Sequence, residues 1–149
     1  MITIHQLSAD NFSRWDAYVS KSEEATFFHR AGWKTVIESA FGHRSYFLYA
    51  ERNGEIEGVL PLAQNKSVLF GNVLVSTPFC VYGGIVADNP EAASALRQAA
   101  CDLAHSLKVD ALELRNIKAS NEGWPEKALY STFRKSIDAD PDVNMKAIP

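Results

Sequence analysis

The sequence predicts an α+β domain with a central, mostly antiparallel sheet flanked by helices, and three observations predict it. Two β-rich runs, residues 46–51 and 55–63, are joined through Arg52-Asn53-Gly54, and Asn-Gly tolerates the positive φ values of a type I′ hairpin turn. A third run, residues 67–75, follows after the polar Gln64-Asn65-Lys66, so the three read as a meander. Apolar residues at spacings of three and four flank the meander, with Trp33, Val36, Ile37 and Ala40 before it and Leu96, Ala100, Leu103 and Leu107 after it.

Each element has its own signal. Residues 2–7 alternate as a first strand, and Ser8 is placed to cap a helix that carries Phe12, Trp15 and Val19 on one face. Residues 21–25 are a polar connection, and Thr26-Phe27-Phe28-His29 leads into a helix over 31–41, which Gly42 ends as a left-handed C′ residue. The aromatic pair Phe27 and Phe28 reads as core or domain-edge packing. Pro61, late in the second strand of the hairpin, predicts a bulge or an unpaired edge. Asn89-Pro90-Glu91 starts the next helix, with Asn89 as N-cap and Pro90 at the first helical position. Residues 111–115 form a strand with Leu112 and Leu114 on one face and Glu113 and Arg115 on the other. A loop over 116–125 and a strand over 130–137 follow. Residues 138–142 read as a turn that prepares a helix. That helix has hardly begun at Pro149, so the chain is expected to be a piece of a longer protein.

Composition narrows the class of protein. With 149 residues, 46% hydrophobic and 22% charged, residues 1–149 read as one globular domain large enough for a real core without metals or disulfides. Cys80 and Cys101 lack metal-type or redox-type spacing and read as reduced, buried thiols, with Cys80 as a nucleophile the alternative. The start of the chain lacks the pattern of a signal peptide, and no apolar run approaches membrane-spanning length, so a cytoplasmic location is expected. A net charge of −3, with Lys and Arg dispersed, argues against non-specific nucleic-acid binding.

The stretch from Val73 to Val86 carries the candidate site. An apolar strand stops at Pro78, which cannot donate to a ladder and which is expected to push Thr77 into an extended conformation. The chain then restarts around Gly83-Gly84, where the missing Cβ atoms allow a ligand to approach or the backbone to turn; a bulge without any ligand is the plainer reading. The sequence has no Gly-x-Ser-x-Gly elbow, Walker loop or His-Glu-x-x-His, and His5, His29, His43 and His105 lack ligand spacing, so no metal site is expected. Gly83-Gly84 before a helix hints at a phosphate cradle, but Asp88 and Glu91 flank that N-terminus and disfavour pyrophosphate. Arg115 at a strand end can clamp a carboxylate or phosphate, or pair with Glu113.

Phe28 and Trp33, then Tyr46-Phe47-Leu48-Tyr49-Ala50, Gly58-Val59-Leu60-Pro61-Leu62, Ser76-Thr77-Pro78-Phe79, Tyr82-Gly83-Gly84 and Leu112-Glu113-Leu114-Arg115 occur in an order that resembles the amino-terminal half of FemAB-like proteins. The branch it looks most like is associated with bacterial PEP-CTERM and exosortase exopolysaccharide systems. The resemblance covers nearly the whole chain. It implies the GNAT (acyl-CoA N-acyltransferase) fold, here as the first of two such domains, and it implies bacterial aminoacyltransferases that move an amino acid from aminoacyl-tRNA to an amine on a peptidoglycan precursor.

Attack of an amine on an activated ester needs a proton acceptor and donors aimed at the developing oxyanion. The resemblance places these near the Pro78–Gly84 break, with Phe79, Gly83 and Gly84 bordering the cleft, Tyr82 as hydrogen-bond partner, Arg115 as anion clamp, and His29 and Trp33 in the wall. The catalytic residues themselves are not assigned. The acetyltransferase cofactor motif of Gln or Arg followed by glycines is missing between Gly83 and Asn89. Coenzyme A is therefore not expected, and aminoacyl-tRNA is the donor implied for the whole protein. The partners implied are a C-terminal GNAT-like domain and a cell-wall or polysaccharide precursor, with the 149 residues alone inactive. The alternatives are a precursor-binding module without chemistry, or a docking domain that uses Phe27, Phe28 and Trp33.

Overall fold

The computed structural model describes residues 1–67, 71–118, 123–127, 133 and 135–148. The chain divides into two compact units, Met1–Ala119 and Ser120–Pro149. In the first, the order is β1 (Thr3–Gln6), α1 (Phe12–Lys21), α2 (Gly32–Phe41), β2 (Arg44–Arg52), β3 (Glu55–Ser67), β4 (Gly71–Ser76), β5 (Val86–Ala87), α3 (Pro90–Leu107) and β6 (Ala111–Glu113). The strands lie side by side as β1-β2-β3-β4-β6, and β5 also pairs with β3. Every pairing is antiparallel except β4 with β6.

Alternation along the central strands builds a core on each face of the sheet. Phe47, Tyr49, Val59 and Ala63 face α1 and α2, where they pack with Trp15, Val19 and Ile37. Leu48, Ala50, Leu60 and Leu62 face the other way, onto Ala92, Leu96 and Ala100 of α3. Each large side chain so buried contributes about 1.5–3 kcal/mol. Trp15 is fully buried, and its indole N–H donates to the His29 carbonyl at 2.6 Å, so α1 is anchored to the chain leading into α2.

The punctuation residues act as their chemistry dictates. Asn53 and Gly54 both take positive φ (52° and 84°) in the hairpin turn, Gly42 ends α2 at φ 66°, and the Asn89 side chain caps α3. Ser8 caps a 3-10 turn, Ala9–Asn11, that leads into α1, and its hydroxyl accepts from the Asn11 side chain rather than from a backbone amide.

One expectation fails and a second holds in an unexpected place. Gln64-Asn65-Lys66 is no turn: β3 runs on to Ser67 with these residues paired to Leu74, Val73 and Asn72, and the Gln64 side chain donates to the Asn72 side chain at 2.8 Å. Polar composition marked a strand end bonded to its neighbour, not a reversal. Pro61 is fully buried and pairs with Phe47 on one side, but on its other side the ladder stops beside it, the locally unpaired edge that proline predicted. Its carbonyl, and with it the side of the strand from which an N–H would be missing, points to where β4 has just ended, so no ladder bond is lost.

Within the second unit, α4 (Pro141–Lys146) is capped by Asp140, whose carboxylate accepts the Asp142 amide at 2.9 Å, and Asn144 bonds back to Asp138. The strand expected over 130–137 lies mostly outside the described residues, and Phe133 and residues 135–137 are not in a strand. Among the described residues no helix is long and apolar enough to cross a membrane.

At Gly58 the sheet and α3 come into close approach. A Cβ there would lie 3.0 Å from both the Ala87 Cβ and a Leu96 methyl and 3.1 Å from the Val86 carbonyl. Gly58→Ala is expected to destabilise the fold by about 1–3 kcal/mol, read as a lower denaturant midpoint with an unchanged m-value.

Candidate functional site

Strand β3 positions the site by sharing one of its sides between two pieces of chain. Residues 62–67 pair with β4, whereas Val59 and Gly58 pair with β5. Thr77 still bonds from its amide to the Pro61 carbonyl at 2.9 Å, and Asp88 re-enters on the Glu57 carbonyl at 2.8 Å. Between them residues 78–85 leave the ladder opposite Leu60, so the predicted interruption is present.

The interruption is not the open groove lined by free amides that was expected. Both Gly83 and Gly84 are buried, and both donate to the Arg115 carbonyl, at 3.2 and 3.1 Å. The Ile85 amide donates to the Asn116 side chain at 3.1 Å. A Cβ on Gly83 would sit 2.1 Å from the Thr77 hydroxyl oxygen, and one on Gly84 2.0 Å from Asn116 Oδ1. The glycines therefore admit the chain's own Thr77 and Asn116 to close approach, and their amides already have acceptors.

The other predicted site residues divide between interior and surface. His29 is buried: the Thr26 amide donates to its Nδ1 at 3.0 Å, which leaves the proton on Nε2 to donate to the Gly84 carbonyl at 3.0 Å. His29 thus ties the excursion to the chain before α2 and completes a capping box with Thr26, so it is no open wall. Arg115 donates from Nε to Glu113 at 2.8 Å and from Nη1 to the Cys80 carbonyl at 2.6 Å, which is the pairing weighed against an anion clamp. Trp33 packs in edge and tilted contacts with Phe27 and Phe28, and Phe27 is 70% exposed. Tyr82 is half-buried, and Phe79 faces solvent. Cys80 is buried and its thiol is pushed up by that burial, the opposite of an activated nucleophile, while Cys101 is only half-buried.

Two features escaped sequence reasoning. Thr77 does not become extended before Pro78 but takes φ 41°, and Phe79 takes φ 68°. A fully buried, β-branched residue at positive φ is strained by about 1–3 kcal/mol, and the bonds around it must hold that conformation. This places Phe79 outward, stacked on Phe41 at 4.3 Å with His43 beyond it at 5.8 Å. Pro78 signalled the break in the ladder, but nothing in the sequence gave the left-handed backbone on either side of it.

The N-terminal turn of α3 is occupied by the chain's own groups. Asn89 Oδ1 accepts the Ala92 amide at 2.9 Å, Pro90 has no N–H, and the Asn89 amide group donates to Glu57 at 3.0 Å. Arg52 bonds Glu57 at 3.0 Å and Glu91 at 2.6 Å, and the bond from Asn89 first and that from Arg52 next hold the Glu57 carboxyl below its ordinary range. Tyr18 donates to Asp88 at 2.9 Å, and burial and then that bond raise its pKa. A pyrophosphate at this N-terminus would meet three carboxylates and find the Ala92 amide already capped. Tyr18, Glu57 and Asp88 also line a cleft of about 550 Å³ with Arg14 and Lys21. Among the described residues no cluster of His, Cys, Asp and Glu could hold a metal.

No protein-family model and no curated protein matches the chain. Its structure is similar to a GNAT family acetyltransferase from Staphylococcus aureus, with a TM-score of 0.55 at 12% identity over 91% of this chain and 98% of that one. A ribosomal-protein-alanine N-acetyltransferase from Brucella melitensis gives 0.57 at 13% identity over 91% and 99%. An aminoglycoside 6'-N-acetyltransferase from Acinetobacter baumannii gives 0.55 at 17% identity over 93% and 100%. The chain has the GNAT fold, the α+β architecture that its sequence predicted.

His29 makes the site sensitive to pH. Burial lowers its pKa below the ordinary imidazole value near 6.5, so the unfolded chain takes up a proton that the folded chain resists. The stability from neutral His29 is complete above about pH 6.5 and is lost as the pH falls from there through the folded-state pKa. Denaturation midpoints of the native protein should drop over that interval, and His29→Gln should be less stable at pH 7.5 while losing that part of the pH slope.

Proposed function

We propose that this chain is the N-terminal GNAT-fold domain of a FemAB-type transferase that moves an acyl or aminoacyl group from an activated ester to an amine on a cell-wall or exopolysaccharide precursor. The amine nitrogen bonds to the ester carbonyl carbon, the carbon–oxygen ester bond breaks, and the proton lost by the amine ends on the released hydroxyl. One observation carries the reading: a GNAT scaffold whose α3 N-terminus is filled by Asn89, Glu57, Glu91 and Asp88 rather than left open for pyrophosphate. Such a scaffold suits a donor that is an ester on tRNA, and coenzyme A has no place in the proposal. The ordered motifs from Phe28 to Arg115 supply the second support. In this reading the half-buried Tyr82 and the partly exposed Arg115 meet substrate in a cleft completed by a second GNAT-like domain, and Phe79 borders it.

A second reading, a precursor-binding or domain-docking module without chemistry, is favoured by the Gly83 and Gly84 amides. Both already bond the Arg115 carbonyl and are not free to stabilise an oxyanion.

Acetyl-coenzyme A titrated into the 149-residue chain is expected to give no saturable heat, and tight binding would overturn the cofactor argument. Charged tRNA and a nucleotide-linked precursor peptide should give no transfer with this chain but measurable transfer once the protein includes the second domain. Binding of the precursor without transfer by that longer protein would favour the module. Arg115→Ala in the longer protein should lower kcat/KM by about tenfold or more if Arg115 clamps an anionic substrate group, that is by about 1.4 kcal/mol or more.

A further inference from the structure

We infer that the concavity between α2 and the start of β2 binds an oxyanion, a carboxylate or a phosphate, attached to a planar apolar body that lies on the Phe41–Phe79–His43 stack. The concavity holds about 530 Å³ and is lined by Lys34, Glu38, His43, Arg44, Ser45 and Tyr46 among others. Its charges are unequally committed. Lys34 and Glu38 neutralise each other at 2.5 Å, and the buried Ser45 hydroxyl bridges them, accepting from Lys34 at 2.9 Å and donating to Glu38 at 2.5 Å. Ser45 thereby fixes one wall as a rigid ion pair with its polar bonds satisfied. Arg44 is exposed, and among the described residues its guanidinium has neither a carboxylate nor a hydrogen-bond acceptor. The net charge of the lining is therefore positive, with a planar donor fork suited to two oxygens of one anion.

His43 joins this cationic wall to the apolar one. It lines the concavity and stacks on Phe79 at an interplanar angle of 19°, while Phe79 stacks on Phe41 at 23°. Phe79 is 57% exposed and Phe41 47%, so the stack offers an aromatic surface to solvent, and His43 links it to the concavity that Arg44 also lines. A strained backbone at φ 68° holds Phe79 in that position, on the excursion from β3. The combination selects an anionic group with an attached ring or flat hydrocarbon over a free anion or a neutral ring. The inference stands on this geometry alone and does not depend on acyl transfer.

The probes are phenyl phosphate, benzoate, inorganic phosphate and neutral benzyl alcohol, titrated into the folded chain with backbone and arginine Nε–H resonances followed by NMR. Phenyl phosphate or benzoate should shift Arg44, His43 and Phe79 saturably, and which of them binds more tightly decides between phosphate and carboxylate. Arg44→Gln should weaken the better probe by about tenfold, and added salt should weaken it too. Phe79→Ala should reduce the phenyl phosphate affinity to that of inorganic phosphate. Both residues are exposed, and a dispersed amide spectrum will show that each variant is folded. Equal binding of benzyl alcohol, no effect of Arg44→Gln in a folded variant, or shifts spread away from these residues would overturn the inference.

Discussion

Strand β3 has one side to offer, and two separate lengths of chain bond to it. β4 takes residues 62–67 and β5 takes Val59 and Gly58, so everything between must leave the sheet and return within the width of Leu60 and Pro61. The returning segment cannot float, because its backbone amides would be buried without acceptors. The Arg115 carbonyl accepts two of them, and the Asn116 side chain accepts a third. From the opposite direction His29 holds the Gly84 carbonyl, and the Thr77 hydroxyl bonds the Phe28 carbonyl at 3.4 Å. The excursion is thus clamped between the approach to α2 and the end of β6, and that clamp fixes which of its side chains reach solvent.

The clamp explains why the site lies where it does. With the glycines drawn inward, strain accumulates at Thr77 and Phe79, and Phe79 is turned out to stack on α2. The chemical face of the excursion is consequently its aromatic side and not its amides. The register shift between Ala50 and Glu51 works similarly on the other end of the hairpin. It leaves Glu57 as the extra residue of β3, whose carbonyl receives Asp88 and whose carboxylate receives Arg52 and Asn89. A local irregularity in one strand thus assembles the acidic cap of α3.

Much of the architecture was legible because it rests on local chemistry. Asn53-Gly54, Gly42 and Asn89-Pro90 each marked a boundary through a conformational preference that tertiary contacts did not need to override. The apolar spacing in α3 reported its buried face, with Leu96 and Ala100 buried, whereas in α2 only Ile37 is buried and Val36 and Ala40 are exposed. Gln64-Asn65-Lys66 misled because polar residues at the end of a strand resemble a turn when their cross-strand partner, Asn72, is out of sight. Pro61 marked the break because its nitrogen faces the side of β3 that β4 leaves.

By itself the sequence determined the α+β class, the order of the elements and the place where the ladder breaks, since each follows from residues within a few positions of one another. Tertiary structure alone decided what the break contains. Whether an amide is free depends on acceptors distant in the chain, and Arg115 and Asn116 lie more than thirty residues from the Gly83, Gly84 and Ile85 amides they accept. The sign of φ at Thr77 was likewise set by the clamp on both sides, against the preference that Pro78 imposes locally.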